Sequence, residues 1–247
     1  MFYQYVPMDV DVFIPCYIDQ FYPDKAENIF KVLNALGING LYNPAQTCCG
    51  QLAFNSGNIK EAEELAVKFL KDFQGKNYII APSASCVHMV KKHYTKFFFN
   101  TSLHLESKNI QSRIYDFNDF LVNIIELEKW EGRFETTVCF HDSCSMLRHY
   151  GLKNEPRKLL SMIGGVELIE MKDSTECCGF GGSFSVKYPE LSIEMGKRKL
   201  QNALDTGAEY LVSTEASCLF HLESIIKKEN LNIKTATIAD LMAWSIQ

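Results

Sequence analysis

The stretch TCCGQLAFNSG at 47–57 returns as ECCGFGGSFS at 176–185. Around these two cysteine pairs other segments also come twice and in the same order. VDVFIPCYID (10–19) answers to TVCFHDSCSM (137–146), YIIAPSASCVHMV (78–90) to YLVSTEASCLFHL (210–222), and NDFLVNII (118–125) to ADLMAWSI (239–246). The spacing is nearly constant: 128 positions from Cys16 to Cys144 (144 − 16), 129 from Cys48 to Cys177 (177 − 48) and 132 from Cys86 to Cys218 (218 − 86). It drops to 121 between Asp119 and Asp240 (240 − 119), so the first copy carries extra residues before its tail, assigned to KKHYTKFFFNTSLHLESKNIQS at 91–112. A repeated order of landmarks marks a chain built from two similar units.

Each copy alternates strand and helix signals. In the first, VDVFIP reads as a strand and Pro23-Asp24 opens a helix. Ile29, Val32, Leu33 and Leu36 recur along it at helical spacing up to Gly37. GLYN (40–43) reads as a weak strand. Asn58 with Glu61 resembles a capping box opening a helix with Ala62, Leu65, Ala66, Phe69 and Phe73 on one face, and YIIAP follows as a strand. In the second copy TTVCF, VELIEM and EYLVS read as strands; helices start at Pro156 and Pro189 and stop at Gly164 and near Gly207. Alternating β and α elements predict a parallel sheet covered by helices. The expected fold is α/β: two pseudo-repeated Rossmann-like domains, each a mainly parallel sheet flanked by helices. The charged stretch ELEKWEGR (126–133) is the expected seam, giving domains 1–130 and 131–247.

The 247-residue length suits one large or two small domains. At 47% hydrophobic and 22% charged residues the composition is globular. A net charge of −5 without a basic run argues against nucleic acid. No stretch reaches the roughly 18 apolar residues of a membrane span, and the N-terminal segment has no Lys or Arg before Lys25, so it lacks a signal-peptide charge cluster. A cytoplasmic protein is expected. In that compartment thiols stay reduced, and nine cysteines, an odd number with two adjacent pairs, do not suit a disulfide framework.

In a parallel sheet the loops after the strands share one edge. Cys16, Cys48, Cys49 and Cys86 lie after three successive strands of the first copy, and Cys144, Cys177, Cys178 and Cys218 after those of the second, so each set is expected to converge. Gly50 and Gly179 follow the pairs and suit a crowded turn. Cys139, unpaired within a strand, reads as a buried inert thiol. Four thiolates suit a structural zinc or an iron–sulfur cluster. The adjacent pairs and the lack of a C-x₂-C knuckle favour the cluster.

Cys-x₃₁-Cys-Cys-Gly and Cys-x₃₂-Cys-Cys-Gly, each completed by a later cysteine, resemble the duplicated CCG cysteine-rich domain. That domain occurs in heterodisulfide reductase and in the iron–sulfur subunits of glycolate oxidase and glycerol-3-phosphate dehydrogenase. FIPCYIDQ, CCGQLAFNSGNIKEA, PSASC, EPRKLL, CCGFGGSFSVK and TIADLM resemble the lactate-utilisation protein A group over nearly the whole chain. The resemblance implies an electron-transfer subunit of an L-lactate-oxidising complex, partnered by a ferredoxin-type iron–sulfur protein and a third subunit. It implies one [4Fe–4S] cluster per domain, held by Cys16, Cys48, Cys49 and Cys86 and by Cys144, Cys177, Cys178 and Cys218. The heterodisulfide reductase domains carry a fifth thiol where this chain has Ser83 and Glu215, which argues against disulfide cleavage. A zinc-stabilised assembly module and a thiol–disulfide redox subunit are the competing readings.

Among weaker signals, GFGGSFSVK (179–187) fits neither phosphate-loop pattern, so its glycines are expected to pack backbone near a cluster. His141 is expected to be a hydrogen-bonded core histidine rather than a group serving a metal. Glu215 is expected to complement a helix start. Phe97, Phe98 and Phe99 suit a core or a partner face equally.

Overall fold

The computed structural model describes residues 8–247; the start of the expected first domain and of the N-terminal segment, residues 1–7, lies outside them. The chain divides into two compact units, one ending at Phe120 and one beginning at Leu121.

In the first unit, β1 (Met8–Val12) is followed by α1 (Cys16–Phe21) and α2 (Pro23–Ala35), then by β2 (Ile38–Tyr42), α3 (Gln51–Asn55) and α4 (Ile59–Asp72). β3 (Tyr78–Ala81), α5 (Ala84–His88), α6 (Tyr94–Phe98), α7 (His104–Arg113), β4 (Ile114–Asp116) and the single turn α8 (Phe117–Asp119) complete it. All strand pairs are parallel, in the order β2-β1-β3-β4. Pro23 opens α2, where its missing N–H costs nothing. Ile29, Val32, Leu33 and Leu36 are fully buried, as their spacing predicts. Phe69 and Phe73 close on Phe13 edge-to-face at 5.0 and 5.7 Å; burying a side chain of this size contributes about 1.5–3 kcal/mol.

The second unit repeats the plan. β5 (Arg133–His141), α9 (Asn154–Met162), β6 (Gly164–Leu168), α10 (Ser183–Lys187), α11 (Pro189–Leu204), β7 (Tyr210–Ser213), α12 (Ala216–Glu229), β8 (Lys234–Thr237) and α13 (Ile238–Trp244) follow in order. Its sheet is also parallel, ordered β6-β5-β7-β8. The extra residues of the first unit have a physical place. Where α12 runs unbroken for 14 residues, the first unit has α5, a wide π-type turn at Met89–His93, α6, and then the added helix α7.

Several details differ from the sequence reading. Asn58 stands at the start of α4, but its side chain makes no capping bond there, so the expected box does not form; a complete one forms instead between Thr237 and Asp240. Gly164 opens β6 rather than merely stopping α9. The edge strands β4 and β8 escaped notice because each is only three or four residues long. Phe97 and Phe98 are buried with Tyr94, whereas Phe99 is exposed. Among the described residues, no helix is long and apolar enough to cross a membrane.

Candidate metal centre

In both sheets the chain leaves the first strand to one side and returns to the other side of it. The crevice beyond the carboxyl ends of those two strands is where doubly wound sheets place their sites. In the first unit Cys16 begins α1, directly after β1, and Cys86 lies in the first turn of α5, after β3. The Cys48–Cys49 pair enters from the loop after β2. Cys16 Sγ lies 3.8 Å from Cys48 Sγ, and Cys49 shares thiol hydrogen bonds with Cys48 and Cys86. The four sulfurs thus form one continuous group.

Local bonds hold the pair loop in place. The Ile14 N–H donates to Gln46 Oε1 at 2.9 Å, and the Tyr94 hydroxyl donates to the Cys49 carbonyl at 3.0 Å. Gly50 has φ +84, and its N–H points back at Cys48 Sγ over 3.4 Å. A side chain there would press on the Ala62 carbonyl at 3.1 Å and would force the left-handed conformation on a residue that resists it.

The second unit reproduces the arrangement. Cys144 follows β5, Cys218 sits in the first turn of α12, and contacts link Cys144 to Cys177, Cys177 to Cys178 and Cys178 to Cys218. Gly179, φ +92, directs its N–H at Cys177 Sγ over 3.4 Å, and a Cβ there would collide with the Ser192 carbonyl. Here the loop is anchored by charge. The Asp142 N–H donates to the Ser174 carbonyl at 3.1 Å, and Asp142 takes two 2.8 Å bonds from Arg157 and one of 2.8 Å from Ser174 Oγ. The buried Lys199 donates to the carbonyls of Asp173 and Ser174 at 2.6 and 3.2 Å.

The thiols are electrostatically unequal. Hydrogen bonds from Cys16 and Cys49 and from the Gly50 and Gln51 N–H groups outweigh burial and hold Cys48 down to about 3. Bonds from Cys144 and Cys178, with the Gly179 N–H and the nearby His141, hold Cys177 down to about 2. Their donors Cys16, Cys49, Cys144 and Cys178 are correspondingly pushed up. Cys218 is lowered to about 6 by Cys178, against burial and with help from the neighbouring imidazole. In each unit the hydrogen bonds therefore favour the thiolate form at one central sulfur, Cys48 or Cys177. Thiolate is the form that binds metal.

The structure thus brings all eight sequence-selected cysteines into two groups and places both glycines against them. It leaves Cys139 outside: that thiol is fully buried in β5 and burial pushes it up to about 11. Two expectations change. Glu215 stands at the start of α12, yet its carboxylate makes no capping bond; it is buried, accepts from Ser217 Oγ at 3.4 Å, and adds to the negative field around Cys144. His141 is a buried histidine, as expected, but a ring nitrogen of it and the sulfurs of Cys178 and Cys218 lie within 4.8 Å of one another. Three convergent donors of these types could hold a metal ion. The Arg157–Asp142 pair was invisible in sequence, since 15 positions separate the partners and no spacing rule links them.

A parallel sheet with four thiols at its switch point, built twice, defines a class of protein, and the comparisons agree on it. The family profile of the CCG cysteine-rich domain matches residues 10–91 and again 138–223. Lactate utilization protein A 2 of Bacillus cereus (strain AH820) is 35% identical over 237 residues, spanning 96% of this chain and 98% of that one. Lactate utilization protein A of Oceanobacillus iheyensis is 34% identical over 95% of this chain and 96% of its own length. The chain belongs to the lactate utilization protein A family, with two CCG domains. Among solved structures, a hypothetical protein from Helicobacter pylori matches 99% of this chain with a TM-score of 0.64 at 10% identity. This chain spans 52% of that protein's length, and the likeness shows the fold alone.

Proposed function

We propose that the chain is an iron–sulfur electron-transfer subunit of a lactate-oxidising system, with one [4Fe–4S] cluster in each unit. The observation that carries this reading is the pair of thiol quartets, each gathered at the carboxyl edge of its own sheet. A [4Fe–4S] cluster needs four thiolates, and the donor set fits it. Cys16, Cys48, Cys49 and Cys86 would hold one, and Cys144, Cys177, Cys178 and Cys218 the other. When bound, a cluster accepts and releases one electron at a time. The chain's own residues do the rest: buried Cys49, Cys86, Cys178 and Cys218 keep water from one side, and the Gly50 and Gly179 N–H groups offer hydrogen bonds to sulfur, which raise a cluster's potential. The assignment to lactate is supported by the names of the relatives. A ferredoxin-type iron–sulfur protein and a third subunit are the proposed partners, and the cytoplasm the proposed compartment.

A second reading has one observation behind it: the closeness of His141, Cys178 and Cys218 also suits a single tetrahedral zinc ion. Metal analysis separates the two. Protein purified without oxygen, or loaded with iron and sulfide, is expected to be brown with about four irons per unit. Cys48→Ser and Cys177→Ser should each remove about half of the iron and acid-labile sulfide, and Cys139→Ala should remove none. Colourless protein carrying zinc alone would overturn the electron-transfer reading in favour of an assembly module.

A further inference from the structure

The two centres are not chemically alike. Val138 pairs with Tyr210 in the second sheet as Val10 pairs with Tyr78 in the first, so His141 stands where the first unit has Phe13. Phe13 is packing, held edge-on by two phenylalanines. His141 is equally buried, with no exposed surface, yet it brings two polar nitrogens into the core. Its Nδ1 lies 3.4 Å from the Ser174 carbonyl. A carbonyl only accepts, so Nδ1 carries the hydrogen of that contact and Nε2 is left for other partners. That Nε2 is buried, and the imidazole interacts with the Cys218 sulfur and helps to hold that thiol low. Burying polar nitrogens is costly unless they find partners, and the first unit shows that phenylalanine fills the same place without that cost.

A ring nitrogen of His141 and the sulfurs of Cys178 and Cys218 lie within 4.8 Å of one another, so the imidazole stands beside the quartet, within reach of a metal centre that these sulfurs hold. A metal-ligating imidazole characteristically gives its other N–H to a backbone carbonyl or carboxylate. Ser174 supplies that carbonyl. It is held by the Asp142 N–H and by Lys199, while the Ser174 hydroxyl is tied to Asp142, which Arg157 grips with both terminal nitrogens. The first unit, with Ile14 at the position of Asp142, has no such support.

We propose that His141 Nε2 is a fifth donor to the metal centre of the second unit, added to its four thiolates, whereas the centre of the first unit is ligated by thiolate alone. This rests on the reading that the second thiol quartet holds an iron–sulfur centre.

The test uses full-length Cys48→Ser protein, in which the second quartet is the intact one, loaded with iron and sulfide without oxygen. Pulsed electron paramagnetic resonance of the reduced centre is expected to show nitrogen coupling that changes with ¹⁵N-histidine labelling and is lost on adding His141→Phe. Because the imidazole adds a donor to a centre that keeps all four thiolates, its removal leaves the iron poorer in electrons, and the same substitution is expected to raise the midpoint potential. The complementary Cys177→Ser protein should show no histidine coupling. His141→Gln serves as the second variant should the phenylalanine fail to fold, with circular dichroism as the check. An iron centre in the second unit without histidine coupling, and with a potential unmoved by either variant, would overturn the fifth donor and leave the electron-transfer reading standing. Failure of the Cys48→Ser protein to form any iron centre would remove the reading itself, and the inference with it.

Discussion

A single proton divides unequally between neighbouring thiols, and that inequality is the feature of these sites most open to measurement. In metal-free protein Cys48 is half-buried and held at about 3 because Cys16 and Cys49 donate to it. A lowered pKa leaves the thiolate present above it and lost only as pH falls through it. The alkylation rate of Cys48 is therefore expected to stay level from pH 8 to about pH 4 and to fall only as pH nears 3, followed by mass spectrometry of the modified peptide. A rate that climbs through about pH 8.5, the ordinary thiol range, would show that the hydrogen bonds are not formed. Cys139, buried and raised to about 11, should stay unmodified throughout.

At the scale of elements, Arg157 joins α9 to the end of β5 and to the segment after β6, through Asp142 and Glu170. Burial works to raise Asp142, but bonds from Arg157 and Ser174 and the nearby positive charge prevail, and its carboxyl lies below the usual range. Such a depressed group stabilises the fold above the unfolded value of about 3.9 and loses that contribution as pH falls through the folded value. Arg157→Ala leaves Asp142 buried and unpaired, at a cost of about 3 kcal/mol; urea unfolding at pH 7 should show it, and the gap from the parent protein should shrink as pH drops below about 4.

The sequence was legible where chemistry repeats. The cysteines announced both sites because parallel sheets bring their post-strand loops to one edge, and Pro23, Pro156 and Pro189 marked helix starts to within two residues. What escaped was set by contacts between distant positions. Asn58 does not cap α4, although its spacing to Glu61 fits. The orientation of His141 depends on the carbonyl of Ser174, 33 positions away, and β4 and β8 are too short for a period to show.

For the whole molecule, metal binding and folding are linked, because a ligand that binds the folded form stabilises it and the thiols must lose their protons first. Iron- and sulfide-loaded protein is expected to melt higher than metal-free protein, with a gain that diminishes below neutral pH as Cys16, Cys49, Cys144 and Cys178, all raised, compete for protons. Calorimetry under nitrogen measures this. Equal melting with and without metal would mean that the sulfurs do not bind it in the folded state.

The thiols of the first centre lie between residues 16 and 86, and those of the second begin at 144. A ribosome reads them in that order. The first quartet is complete before the first thiol of the second has been translated, so the two groups of sulfurs can assemble in succession while the chain is still being made.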